Sequence, residues 1–266
     1  LNGMPVMTIE LKNHYTGQTV ENAIKQYQTD RDANDPLLAP KRCAVHFAVD
    51  DDDIRMCTRL SGKSSWFLPF NKGINGGAGN PINPHGVRTA YLWENILKKE
   101  SLSDIIENYA QVVKKKDEKT GKEKIAVVWP RYHQLEVVRK LLAETRANGV
   151  GNRYLIQHSA GSGKSNSITW LAYQLVGLLD GTEPLMDSVI VVTDRVNLDK
   201  QIRDNIAAFK RLSNLVAWAD SAETLRQNLE SGKKIIITIV HKFPFILETI
   251  GSEMKHKLVG IIIDEA

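Results

Sequence analysis

Apolar residues in the first 70 positions follow the two-residue period of β-strands: residues 6–11, 43–49 and 54–60 alternate or run apolar. A helical stretch around residues 20–27 separates the first two, which predicts a small α/β or α+β unit. Between Phe70 and Pro84 stand Gly73, Gly76, Gly77, Gly79, Pro81 and Pro84, the composition of a loop. A helical segment over residues 91–109 follows. The charged, glycine-containing run 114–124 is then expected as a solvated linker or hairpin tip. From Ile125 the texture changes. Residues 131–148 put Leu135, Val138, Leu141 and Leu142 on one helix face, and four β-rich runs (153–157, 189–193, 235–240 and 260–263) alternate with helices. That alternation predicts an α/β fold with a parallel sheet covered on both faces. The expected layout is a first unit over 1–108, a charged linker over 109–127 and a second unit over 128–266.

Composition narrows the classes. A chain of 266 residues with 42% hydrophobic and 25% charged residues is long enough for one large domain or two ordinary ones. No apolar run approaches about 18 residues, which excludes a helical membrane span, and the composition excludes collagen and wholesale disorder. The start, LNGMPVMTIELK, has neither the basic flank nor the apolar core of an export signal. Two cysteines, Cys43 and Cys57, are too few and too far apart for a zinc clip or a disulfide framework, so a reducing cytoplasm is the default location. A net charge of +4 permits nucleic-acid binding through local patches without arguing for it. Asn2-Gly3 signals a hairpin turn of which one arm is present, and an acidic strand tip arrives at the last residues. An excerpt of a longer protein is therefore expected.

The strongest chemical signal is His158-Ser-Ala-Gly-Ser-Gly-Lys-Ser165, set between the apolar run Tyr154-Leu-Ile and a helix carrying Ile168, Leu171, Ala172, Leu175 and Leu179. Strand, glycine loop and helix in that order are what a phosphate-binding P-loop requires. Gly161, Ser162 and Gly163 let backbone N–H groups close around phosphates. Lys164 sets a cation on the β and γ oxygens, and the Ser165 hydroxyl can ligate Mg²⁺. His158 occupies the position where glycine is usual. Asp264-Glu265 at the carboxyl end of a buried strand adds an acid to hold Mg²⁺ through water and a second to polarise an attacking water.

These runs, HSAGSGKS and IIIDEA, resemble the nucleotide site of superfamily 2 helicases and translocases. VIVVTDRVNLDKQ and IIITIVHKF resemble the family's DNA-facing motifs Ia and Ib. The resemblance implies phosphate-backbone contacts for Thr193, Arg195, Lys200, Thr238 and Lys242, although surface solubility explains the lysines equally well. Trp129-Pro-Arg-Tyr-His-Gln134 resembles the adenine-reading Q motif, with Tyr132 as a stacking face and Gln134 as a bidentate amide. An ordinary helix start after Pro130 is its alternative.

On the first strand, Thr8, Glu10 and Lys12 share one face and Met7, Ile9 and Leu11 the other. Glu10 and Lys12 together suit metal-dependent phosphodiester cleavage, the acid binding Mg²⁺ and the lysine stabilising hydroxide and developing charge. Alone, Glu-x-Lys reads as an exposed ion pair. NGMPVMTIELKN, however, resembles the nuclease motif of the restriction (R) subunit of type I restriction-modification enzymes. The likeness continues in order through ENAIKQYQTDRD, RCAVHFAVDDD, FLPFNKG, GAGNP, TAYLWENIL and PRYHQLEVVRK to the P-loop.

That resemblance implies a PD-(D/E)xK endonuclease remainder over 1–108 and an incomplete first RecA-like domain over 128–266. Glu10 is then the second acid and Lys12 the motif lysine, with the first acid on a strand before Asn2. Many members carry a Gln-x-x-x-Tyr element on the next helix; here stand Gln26, Tyr27 and Arg31 with a different spacing. The implied activity is ATP-dependent translocation on double-stranded DNA with Mg²⁺-dependent cutting. The implied partners are methyltransferase (M) and specificity (S) subunits, which bring S-adenosylmethionine to the holoenzyme. A helicase without nuclease activity and a nucleotide-dependent switch remain the rival classes. The run Asp50 to Asp53 is expected as a solvated turn, because consecutive residues cannot converge on one ion.

Overall fold

In the computed structural model, which describes residues 3–40, 42–116, 123–193, 215–240 and 257–264, the first apolar period becomes strand β1 (Met7–Leu11). Helix α1 (Val20–Thr29) carries the chain to β2 (Val45–Val49), and β3 (Ile54–Cys57) and β4 (Leu68–Pro69) follow. The four strands lie in the order β1-β2-β3-β4, with β1 parallel to β2 and the other pairs antiparallel. All five residues of β2 are buried, as a central strand covered on both faces requires. Helix α1 starts where a Thr19–Asn22 capping box and the Asp50 carboxylate, accepting from Val20 N–H at 2.7 Å, satisfy its first donors. Val20, Ala23 and Tyr27 form its buried stripe.

Two sequence expectations change in this part of the chain. The helix expected over 91–109 is broken into a π-helical turn, Leu92–Ile96, closed by Leu97 N–H on the Leu92 carbonyl at 2.8 Å, and α2 (Lys99–Asn108). The linker expected over 109–127 contains the arms of an antiparallel hairpin, β5 (Gln111–Lys116) and β6 (Glu123–Val128). Valine and isoleucine on both sides of the charged run fit a pleated ladder, in which Val112 pairs with Val127, better than a solvated chain. The acidic turn diverges as expected, but Asp50 is buried and takes the N–H groups of Asp52 and Asp53 as well as Val20. Asp53 pairs with Arg55 at 2.7 Å. Cys43 and Cys57 are both buried and unbridged.

The chain divides into two compact units, Leu1–His133 and Gln134–Ala266, so that α3 (Tyr132–Asn148) begins at the boundary. In the second unit come α4 (Lys164–Leu175), a short hairpin of β7 (Leu179–Asp180) and β8 (Glu183–Pro184), then β9 (Ser188–Thr193), β10 (Val216–Trp218), α5 (Ala222–Glu230), β11 (Ile235–Ile239) and β12 (Val259–Ile263). The sheet order is β10-β11-β9-β12 and every neighbouring pair is parallel. All six residues of β9 are buried, as in a sheet with helices on its faces. Its Ile190 and Val192 pack with Ile236 of β11 and with Leu225 and Leu229 of α5.

Ile190→Ala removes a fully buried side chain from that cluster. It is expected to cost about 2–5 kcal/mol, read as a lowered denaturation midpoint of the second unit.

The run 153–157, expected as a strand, forms no ladder. A strand exists only through hydrogen bonds to a neighbour, and here Leu155 is 93% exposed with Tyr154 and Ile156 half-exposed. Among the described residues no helix is long and apolar enough to cross a membrane.

Candidate functional sites

In the second unit the P-loop leads directly into α4. Gly161 (φ 72°) and Gly163 (φ 83°) both take left-handed backbone conformations, and Gly163 is the residue that caps the helix. Gly163 accepts from Asn166 N–H at 3.0 Å, which opens the first turn and leaves Lys164 and Ser165 as its first two residues. A helix start directs backbone donors and the positive dipole end at whatever anion sits before it. Helix α4 packs on β9 and β12, and Asp264, 5% exposed, follows the last residue of β12 with its N–H on the Val192 carbonyl at 2.9 Å. A hydroxyl and a carboxylate are hard oxygen donors of the kind Mg²⁺ takes beside nucleotide phosphates, so Ser165 and Asp264 fit that ion. Glu265 lies outside the described residues.

Gln134, from α3, has a role that spacing did not reveal. Its amide nitrogen donates to the carbonyls of Ser162 at 3.1 Å and Gly163 at 3.0 Å, tying α3 to the loop. Both carbonyls belong to the loop, and the Gln134 side chain is buried between it and α3. A Cβ at Gly163 would run into the same amide nitrogen. Gly163→Ala is expected to carry about 1–2 kcal/mol of left-handed strain and to displace Gln134, lowering both melting temperature and nucleotide affinity; Gln134→Ala in the same chain should return part of the loss.

Tyr132 belongs to the first unit, where its ring meets Phe70 and Tyr91 edge-on with centroids at 5.9 and 5.2 Å. Thr193 and Thr238, expected to face DNA, are instead buried. The Thr193 hydroxyl donates to the Thr238 carbonyl at 3.4 Å and the Thr238 hydroxyl to the Ala219 carbonyl at 2.8 Å. A hydroxyl at a strand end next to a bare carbonyl satisfies that acceptor more readily than it reaches solvent. Arg195, Lys200 and Lys242 lie outside the described residues.

In the first unit the period-two face of β1 does bring the acid and the lysine together: Lys12 Nζ lies 3.3 Å from Glu10 Oε1, with side-chain exposures of 12% and 16%. Lys12 also donates to Gln26 Oε1 at 2.5 Å, and the Arg31 guanidinium donates to Glu10 Oε2 at 3.1 Å. The Gln26 and Arg31 whose spacing departs from the family element are therefore delivered to the pair by α1 and the residues just after it. One carboxylate oxygen set, completed by water and a substrate phosphate, is a donor set Mg²⁺ accepts, so Glu10 fits the ion as a single ligand. Among the described residues no cluster of three His, Cys, Asp or Glu is present.

Behind the pair, Thr8 Oγ1 bonds Tyr27 Oη at 2.8 Å and His46 Nδ1 at 2.7 Å, locking β1 to α1 and β2. Burial pushes the Tyr27 phenol up to about 12, against the lowering effect of the Thr8 bond, and pushes the His46 imidazole down to about 4. His46 is thus neutral when folded and protonates near 6.5 when unfolded, so the unfolded chain binds the extra proton between those values. Stability is expected to fall by on the order of 3 kcal/mol as pH drops from about 6.5 to about 4, and His46→Gln should flatten that slope in denaturant titrations across the range.

Comparison with known proteins agrees with both halves. Residues 133–266 match the family model described as SWI2/SNF2 ATPase, and the chain belongs to that family. Residues 1–65 match the model described as type I restriction enzyme R protein N terminus, and the two matches in this order are those of a type I R subunit. Among curated proteins none matches the chain.

Proposed function

We propose that this chain carries both working centres of a type I restriction enzyme's R subunit: an ATP-driven motor that moves double-stranded DNA and a Mg²⁺-dependent endonuclease that cuts it. The observation that carries the reading is that an R-protein N-terminal segment, with Glu10 and Lys12 in contact at 3.3 Å, precedes a P-loop at the start of a helix on a parallel sheet. Residues 1–108 are read as a PD-(D/E)xK nuclease remainder and 128–266 as the first RecA-like domain.

In the motor, the Gly161–Gly163 backbone holds nucleotide phosphates, Lys164 neutralises the β and γ oxygens, Ser165 and Asp264 hold Mg²⁺, and Glu265 orients the attacking water. Arg195, Lys200 and Lys242 contact the DNA backbone. In the nuclease, Glu10 holds the metal ion while Lys12 stabilises the hydroxide and the charge that develops on phosphorus-bound oxygen. Bound Mg²⁺ supplies Lewis-acid polarisation of the phosphate and an acidified water. Gln26 fixes the Lys12 ammonium by a direct hydrogen bond. Methyltransferase and specificity subunits, with S-adenosylmethionine, supply target choice in a cytoplasmic complex.

The test uses the full-length protein with those subunits, ATP, Mg²⁺ and DNA bearing the recognition site, and follows ATP turnover, displacement of a triplex strand and DNA breakage together. All three signals are expected. ATP turnover and displacement without breakage would reduce the protein to a motor and return Glu10 and Lys12 to a surface ion pair.

A further inference from the structure

Beside the acid–lysine pair, in the first unit, the surface holds a cavity of about 470 Å³ lined by Arg31, Asp32, Asn34, Arg59, Ser61 and Gly62 among others. Two arginines share its lining with one aspartate. That carboxylate is already engaged, since Asp32 Oδ1 accepts from Asn34 N–H at 2.9 Å and from its side-chain amide at 3.1 Å. Arg59 takes part in no ion pair among the described residues. Its backbone is fixed just past β3, where the Cys57 thiol donates to the Arg59 carbonyl at 3.0 Å. Arg31 belongs to both places at once: it lines the cavity and its Nη2 lies 3.1 Å from Glu10 Oε2. A guanidinium has five donors, so the bond to Glu10 leaves others for an oxyanion, and planar forks match phosphate oxygens two at a time.

We propose that this cleft binds a backbone phosphate of the DNA next to the one cut at Glu10 and Lys12, gripped by Arg31 and Arg59. The inference rests on the nuclease reading for its ligand, because phosphates of one strand arrive in series and the cleft is one guanidinium away from the acid. Arg31 then ties strand position to the Glu10 carboxylate, as a positioning residue that touches both.

The experiment measures binding of a short fluorescent duplex without a recognition site, in EDTA, to the full-length protein over a range of salt. Arg59→Gln is expected to lower the slope of log K against log salt by about 0.9, the value of one lost phosphate contact, and Arg59→Lys to keep most of it. Arg59 is exposed, so neither change opens a core cavity. An unchanged slope in Arg59→Gln overturns the proposal. Competition by inorganic phosphate that disappears in Arg59→Gln while the DNA slope stays normal marks a free-phosphate site and overturns it too. Lys12→Ala run in parallel separates the two readings. Lost breakage with a normal Arg59→Gln slope leaves the nuclease and removes the cleft. Retained breakage with a reduced slope leaves a DNA-phosphate cleft and removes the nuclease.

Discussion

Lys164→Ala in the full-length protein, assembled with its partner subunits on DNA, is expected to lower ATP turnover by on the order of 100- to 1,000-fold and to abolish both strand displacement and breakage. Lys164 is the first residue of α4, immediately after the left-handed Gly163 and the loop that Gln134 pins through two carbonyls. Alanine there leaves the helix start and the loop in place, because alanine is the best helix former and the positive φ belongs to the preceding glycine. On the proposed reading, what disappears is the cation that faces charge building on the leaving β-phosphate. On the same reading cutting depends on the motor, so a purified turnover assay and a DNA assay are expected to move together. Turnover within a few-fold of wild type would sink the assignment of the P-loop. Melting temperature serves as the control, since truncating this half-buried lysine at a helix start opens no core cavity and is expected to cost about 1 kcal/mol or less.

Lys12→Ala is the second large effect, and it acts on one activity alone. DNA breakage is expected to fall by on the order of 100- to 1,000-fold while ATP turnover and strand displacement stay at wild-type levels. The ammonium at 3.3 Å from Glu10 and 2.5 Å from Gln26 is the positive group on the Thr8–Glu10–Lys12 face of β1. Removing it leaves the Glu10 carboxylate paired with Arg31 and the register of β1 with β2 unaltered, since Lys12 N–H still meets the Val49 carbonyl at 2.8 Å. Loss of turnover together with breakage would contradict two separate centres. Lys12→Arg distinguishes charge from chemistry: a guanidinium keeps the positive field but not the compact point charge, so partial breakage is expected to return only where field strength is what matters.

Some of this molecule was legible in its residue order because the signal was local. Period two at 6–11 placed Glu10 and Lys12 on one side of a strand, and pleat geometry makes that consequence unavoidable. Glycines at 161 and 163 just before a Lys-Ser pair specify a loop that needs left-handed backbone, which both adopt. Apolar runs at 189–193, 235–240 and 260–263 specify a buried parallel sheet, and strand alternation with helices specifies its class.

Other features depended on long-range closure, which no local window contains. Residues 153–157 have the apolar content of a strand but no ladder, because pairing is decided by the neighbouring edge and not by the run itself. Charged residues 114–124 allow either a solvated linker or a hairpin tip, and only the ladder of β5 with β6 decides for the hairpin. Thr193 and Thr238 have the hydroxyls of phosphate donors, but adjacent strand ends turned those hydroxyls inward to carbonyls. Gln26, Arg31 and His46 lie 16, 21 and 36 residues from Glu10 in the chain, and only the packing of α1 and β2 on β1 brings them to the Glu10–Lys12 pair and to Thr8 behind it. Residue order by itself determined the fold class, the P-loop and the acid–lysine face, since each follows from backbone periodicity or glycine conformation. Tertiary structure alone decided which side chains hold those groups in place, because a hydrogen bond between distant residues exists only once the elements that carry them have packed.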